Sequence, residues 1–134
     1  KQTTLPEVPA FHFKNKTVLV VEDEIFNAEY MQEILADTGL KIIHTKLGCE
    51  AVQIATSQMP DIILMDIRLP DISGYEATRL IKHKNPGLKI IAQNAYAADD
   101  DRQKAMDAVC DDYLSKPLNR SILLAKINNY LSKQ

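Results

Sequence analysis

The run Pro60-Asp61-Ile62-Ile63-Leu64-Met65-Asp66, continued by Ile67-Arg68-Leu69-Pro70-Asp71, decides the fold. Its four consecutive apolar residues, bounded by proline and acidic signals, are too few for a helix. They predict a short strand buried on both faces, the habit of a parallel sheet. Asp66 closes that strand just before a loop, and open α/β sheets place their ligands at such strand ends. Read alone, Asp66 serves equally well as a carboxylate capping the turn before Leu69-Pro70. The remainder of the chain has to separate those two readings.

Outward from that strand the chain alternates. Thr17-Val18-Leu19-Val20-Val21 is a β-branched run and predicts another buried strand. Residues 25–38 carry Ala28, Met31, Leu35 and Thr38 at helical spacing, and Gly39 follows as a stop. Lys41-Ile42-Ile43-His44-Thr45 is a more polar strand that belongs near an edge, and Val52, Ala55 and Met59 mark a helix over about 48–58. After the Asp66 strand, Ser73-Gly74-Tyr75-Glu76 has capping-box spacing, with Ala77, Leu80 and Ile81 as the apolar face of the next helix. Leu88-Lys89-Ile90-Ile91-Ala92-Gln93 is a fourth strand, and a weakly amphipathic helix spans about 97–107. The acids Asp99-Asp100-Asp101 fall in its first turn, where the helix dipole favours them. Asp112-Tyr113-Leu114-Ser115 is a short fifth strand, and Leu123, Leu124, Ile127, Tyr130 and Leu131 give the closing helix its apolar stripe. Strands alternating with helices predict a parallel sheet with right-handed crossovers, a three-layer doubly wound α/β sandwich.

Composition narrows the function classes. The 134 residues are 46% hydrophobic and 25% charged, ordinary values for one globular domain. The net charge of −2 and the lack of a basic run argue against nucleic-acid binding. No apolar run is long enough to span a bilayer, so no membrane contact is expected of this domain. Cys49 and Cys110 have no metal-type spacing and predict two buried thiols in a reducing compartment. Residues 1–16, with Pro6 and Pro9 and no sustained period, suit a linker or an arm lying on a domain of residues 17–134. The chain starts at Lys1 rather than Met and has no signal-type stretch, so a piece of a longer, cytoplasmic protein is expected.

In a parallel sheet every strand ends at the same edge, so residues just past the strands converge. Those residues are Glu22, Asp23 and Glu24 after the first strand, Asp66 after the third, Asn94 after the fourth and Lys116-Pro117 after the fifth. Acids crowded into one crevice repel and must bind protons or recruit a cation. Two or three carboxylates with room for water suit a hard divalent ion that also meets a phosphate. A lysine at the same rim can pair with Asp66 and exchange it for a phosphoryl oxygen. His12, His44 and His83 are isolated and read as surface or packing histidines.

This set resembles the receiver domain of two-component response regulators. The resemblance rests on Val20-Val21-Glu22-Asp23-Glu24, Leu64-Met65-Asp66-Ile67-Arg68-Leu69-Pro70, Gly74 and Tyr113-Leu114-Ser115-Lys116-Pro117, and runs from about Thr17 to Leu131. It implies a flavodoxin-like sheet of order 2-1-3-4-5, the order of a chemotaxis receiver. It implies that Asp66 is the phosphoacceptor, attacking a phosphohistidine. Asp23, Asp66 and the backbone carbonyl of Arg68 would ligate Mg²⁺ (or Mn²⁺), with Glu22 acting through water, and Lys116 would hold the phosphoryl group. Arg68 and Tyr96 would tune dephosphorylation, and Pro117 would follow a cis peptide bond. The implied partner is a histidine kinase or a histidine phosphotransfer domain. Such a domain catalyses its own phosphorylation and dephosphorylation without being a stand-alone turnover enzyme.

One position departs from the family pattern. Where a Thr or Ser is usual after the fourth strand, this chain has Asn94 in Ala92-Gln93-Asn94-Ala95-Tyr96-Ala97. The family hydroxyl moves toward the phosphoryl group and lets an aromatic residue, here Tyr113, turn inward. An amide head is larger and flatter, so weaker coupling to the fourth helix is expected. The face of that helix and the fifth strand is the partner surface the family implies, with room for a weak homodimer. The end of the chain soon after Leu131 and the wording around Asn94 and Cys110 are similar to receivers at the C-terminus of hybrid sensor kinases. A stand-alone receiver is the alternative within the class, and the domain is then cytoplasmic in either case, free or as the inner part of a membrane-bound kinase. Outside the class, the rivals are a receiver-like binding module that is never phosphorylated and an aspartyl-phosphate phosphatase. The phosphatase would want an acid where Arg68 stands. A flavodoxin would need a hydroxyl-rich loop where Glu22, Asp23 and Glu24 stand.

Overall fold

The aliphatic runs become five parallel strands with a helix after each, in a computed structural model that describes residues 11–95, 99–108 and 110–132, with backbone alone at 99–102. In chain order these are β1 (Thr17–Val21), α1 (Ile25–Leu35), β2 (Lys41–Thr45), α2 (Gly48–Ser57) and β3 (Ile62–Asp66). They continue as α3 (Gly74–Lys84), β4 (Lys89–Asn94), α4 (Asp99–Asp107), β5 (Asp112–Ser115) and α5 (Arg120–Leu131). The sheet order is β2-β1-β3-β4-β5, the doubly wound order expected, with the polar strand β2 at an edge.

Period-two alternation gives each interior strand two buried faces. Val18, Val20, Ile62, Leu64 and Ile91 pack on one side with Met31, Leu35, Leu123, Leu124 and Ile127 of α1 and α5. Leu19, Val21, Ile63, Met65 and Ile90 pack on the other with Ala51, Ala55, Ala77 and Ile81 of α2 and α3. Each such aliphatic side chain contributes about 1.5–3 kcal/mol on burial, which is why these strands carry almost no polar residues. The registers Val21↔Met65 and Asp66↔Gln93 bring the strand ends level at the carboxyl edge.

Three local readings are corrected. Helix α1 ends at Leu35, short of residue 38, because Asp37 turns to φ 63 and the Thr38 hydroxyl donates to the Leu35 carbonyl. Leu80 and Met59 are exposed, not core. The buried face of α3 is instead Ala77, Thr78, Ile81 and Lys82, whose ammonium meets Asp111 at 2.7 Å, while Met59 lies past the end of α2. Cys49 is exposed in the first turn of α2 and Cys110 is half-buried, so the thiols are not a buried pair.

Core packing also starts ahead of Thr17. Phe13 is buried among the α1/α5 residues, its ring stacked on that of Phe11, and its amide donates to Thr38 O at 2.6 Å. Lys16 O accepts from Lys41 N at 2.9 Å, prolonging the β1–β2 ladder. The rest of the expected linker, residues 1–10, lies outside the described residues.

Candidate functional site

Glu22 follows β1 directly and is fully buried. Its backbone is clamped to the edge strand: its N–H donates to Thr45 O at 3.0 Å, and its carbonyl accepts from His44 Nε2 at 2.8 Å. Its carboxylate is clamped too. Oε2 accepts from Glu24 N at 3.1 Å, and Oε1 accepts from Lys116 Nζ at 2.6 Å. Glu24 itself turns away, capping α1 by accepting from Asn27 N.

Asp66 closes β3 with 4% of its surface exposed. Its Oδ1 accepts from Ile67 N at 3.0 Å and sits 3.0 Å from Lys116 Nζ. Asp23, exposed at the rim, completes a group of three: one carboxylate oxygen each of Glu22, Asp23 and Asp66 lie within 4.8 Å of one another. Burial first, and then the charge of Glu22, push the Asp66 carboxyl up to about 7 against the pull of Lys116. For Lys116, burial pulls the other way, but its bonds to Glu22 and Asp66 outweigh it and hold the ammonium above its usual range. The Lys116-Pro117 peptide bond is cis, and Lys116 N donates to Asn94 O at 2.8 Å, which joins the ends of β4 and β5.

The loop from Asp66 to α3 is held at both ends. Gly74 N donates to Ile67 O at 2.8 Å, and a Cβ on Gly74 would stand 2.1 Å from the Asp66 carbonyl oxygen. Only glycine permits that approach. Asp71 accepts from Gly48 N and Cys49 N, both at 2.8 Å, so the loop caps the N-terminus of α2. Those backbone donors, Cys49 first, hold the Asp71 carboxyl well below the usual carboxylate range. Arg68 lies exposed within this loop.

The sequence-derived acids and lysine therefore meet in one pocket: Glu22, Asp23, Asp66 and Lys116. Asn94 is buried at the end of β4, and Arg68 stands at the rim. Tyr113 is already buried, in a small apolar cluster with Ile67, Ala92 and Ala105. Tyr96 lies outside the described residues. Sequence reading did not find the pairing of Lys116 with Glu22, the His44 and Asp71 clamps, or buried Gln93. Alternation alone would have put Gln93 on the face of Asp66; the contacts of Lys116 and Asp71 depend on loop paths, and that of His44 on a side chain reaching over from the edge strand, none of which carries a periodic signal.

Chemically, three carboxylates against one ammonium leave negative charge in excess. Oxygen donors of that kind and number fit a hard divalent cation that keeps waters and meets a phosphate.

A doubly wound 2-1-3-4-5 sheet carrying acids and a lysine at its carboxyl edge has the architecture of receiver domains. The response regulator receiver domain family matches residues 18–128, and the chain belongs to that family, a component of two-component signalling. It is 34% identical over 118 residues to the polar-differentiation response regulator DivK of Brucella anthropi, covering 87% of this chain and 96% of that protein. Among solved structures it is similar to the receiver domain of sensor histidine kinase PA1611 from Pseudomonas aeruginosa PAO1, which has a magnesium ion coordinated in its active site cleft. That likeness has a TM-score of 0.82 and 34% identity, covering 87% of this chain and 98% of the other. It is also similar to a CheY-like receiver domain protein from Methanospirillum hungatei JF-1, with a TM-score of 0.82 and 28% identity over 88% and 94% of the two chains. No described helix is long and apolar enough to cross a membrane.

Proposed function

We propose that this receiver accepts a phosphoryl group on Asp66 from a phosphohistidine of a histidine kinase or histidine phosphotransfer domain. One observation carries the reading: Glu22, Asp23 and Asp66 gather within 4.8 Å while Lys116 stands 3.0 Å from Asp66. An Asp66 carboxylate oxygen attacks phosphorus, the phosphorus–nitrogen bond of the donor breaks, and the electron pair returns to the histidine nitrogen. Lys116 leaves its Asp66 oxygen for a phosphoryl oxygen while Glu22 keeps the other side of its ammonium in place. Asp23 and Asp66, with the Arg68 carbonyl and with Glu22 through water, would hold Mg²⁺ or Mn²⁺. When bound, that ion neutralises phosphoryl oxygens and lets the anionic groups approach. The magnesium reported for the PA1611 receiver supports this assignment.

The output face is the surface of α4 and β5, with Tyr113 and Asn94 as the residues that couple it to Asp66, and Arg68 and Tyr96 as those that tune loss of the phosphoryl group. Throwing a two-state switch from 1:99 to 99:1 takes about 5.5 kcal/mol of differential binding. A hydrogen bond to a charged group supplies about 1.5–3 kcal/mol, so Lys116 alone falls short and the Asn94 amide must contribute. Amide for hydroxyl is the observation that favours the second reading, a receiver-like module that binds without being phosphorylated. The resemblance to a sensor-kinase receiver supports placement in a hybrid histidine kinase.

Beryllofluoride with Mg²⁺, followed by amide NMR, tests the reading. Shifts at Asp66 and Lys116 that spread into α4, and grow in Asn94→Thr, are expected. Absence of any shift in the protein and in Asn94→Thr would favour the binding module.

A further inference from the structure

Gln93 is an unusual residue for its position. It is 1% exposed, near the carboxyl end of β4, and its Oε1 has no hydrogen-bond partner among the described residues. Its Nε2 donates to the thioether of Met31 at 3.3 Å. An unpaired carbonyl oxygen in the interior is costly, and native proteins rarely leave one so.

The surroundings say what would pair with it. In the β3–β4 register Gln93 is level with Asp66, and in the β4–β5 register it is level with Leu114, two residues before Lys116. Level residues of parallel strands share a face, so Gln93 lies beside Asp66 on the α1/α5 side of the sheet, where Lys116 comes back to reach Asp66 and Glu22. A cavity of about 30 Å³ opens there, lined among others by Glu22, Tyr30, Met31, Gln93 and Lys116, and the Tyr30 hydroxyl bridges its wall to Leu118 O at 2.8 Å. That volume suits one water molecule, which needs two to four polar partners. An ammonium has three N–H donors, and Lys116 spends one on Glu22 and one on Asp66.

We propose that this cavity is a site for one structural water that accepts the third Lys116 proton and donates to Gln93 Oε1 and to a Glu22 oxygen. Gln93 is then a positioning residue for the phosphoryl-binding lysine, acting through that water. With this third tether beside the one to Glu22, the ammonium stays in place when it exchanges the Asp66 oxygen for a phosphoryl oxygen. The functional half of this inference rests on the phosphoacceptor reading above; the water site does not.

The test has two arms. A crystal structure of the full chain is expected to show an ordered water within hydrogen-bond distance of Gln93 Oε1 and Lys116 Nζ. A water bound elsewhere, or Gln93 Oε1 paired with a protein group instead, overturns the proposal. In Gln93→Leu, solvent exchange of the Lys116 ammonium protons, read by ¹⁵N NMR, is expected to quicken about tenfold. The rate of phosphorylation by acetyl phosphate is expected to fall about three- to tenfold, with the melting temperature not lowered. Unchanged ammonium exchange refutes the tether. If Gln93→Leu does not fold, the first arm decides alone. If neither protein is phosphorylated while the water is present and exchange quickens, the phosphoacceptor reading fails and the site stands.

Discussion

Replacing Asp66 by Asn should make the metal-free protein more stable, and the size follows from the pocket. Asp66 is nearly buried, faces Glu22, and its carboxyl is pushed up to about 7, so burial and repulsion outweigh the attraction of Lys116. In the unfolded chain the same group titrates near its ordinary value, about 3.9. Between those two values the folded state holds a proton that the unfolded state has lost, so wild-type stability on this account is full below about pH 4 and declines as pH rises through about 7. Three units at about 1.4 kcal/mol each set a ceiling of about 4 kcal/mol, and screening at the pocket mouth brings the expected loss to about 2 kcal/mol. Asn carries no charge and escapes that loss. Urea unfolding in a chelator should therefore find Asp66→Asn about 2 kcal/mol more stable than wild type at about pH 8, and equal to it at about pH 4. Millimolar Mg²⁺ should close or reverse the gap, since the ion prefers the carboxylate. A variant less stable than wild type at high pH in chelator would mean that Lys116 more than neutralises its neighbours, and the idea of an over-acid pocket would be wrong.

Three further outcomes follow from the packing. Phe13→Ala should cost about 3–4 kcal/mol in urea unfolding, as a buried aromatic against α1 and α5, although it precedes the strand that opens the sheet. Gly74→Ala should destabilise by about 3 kcal/mol, because the new Cβ meets the backbone of Asp66, whereas Gly48→Ala should cost only about 1 kcal/mol because it meets the movable Ile72 side chain. Asp71→Ala should lose the cap on α2, about 1 kcal/mol at neutral pH. Because that carboxyl is held low, the contribution is present above its unfolded value and disappears as acid protonates it; equal ΔΔG values at about pH 7 and about pH 2 would contradict this.

Most of the fold was legible in the sequence because parallel strands buried on both faces cannot hide: Val18–Val21 and Ile62–Met65 admit little else. Helix ends were less legible. Thr38 keeps helical spacing with Leu35, yet its hydroxyl bonds the helix terminus rather than extending it. Leu80 looked like core because Lys82, a charge, was not expected to take the inward position that Asp111 makes tolerable. The acids and Lys116 were legible as a site through topology alone, since strand ends meet at one edge. The pairing of Lys116 with Asp66 was legible in the same way, but its second contact, with Glu22, was not, because the reach of a side chain across the sheet has no signature in spacing. Gln93 passed for an ordinary strand residue, and Asp71 drew no reading of its own, for the same reason.

The central claim is that excess negative charge at one rim of the sheet, balanced by a divalent ion, lets Asp66 take a phosphoryl group. Intact-mass and peptide-level mass spectrometry after incubation with acetyl phosphate tests it most directly. The account predicts one added phosphoryl group on the peptide containing Asp66, lost in Asp66→Asn and lost when Mg²⁺ is chelated. No adduct under any condition, or an adduct that survives both Asp66→Asn and chelation, would contradict it.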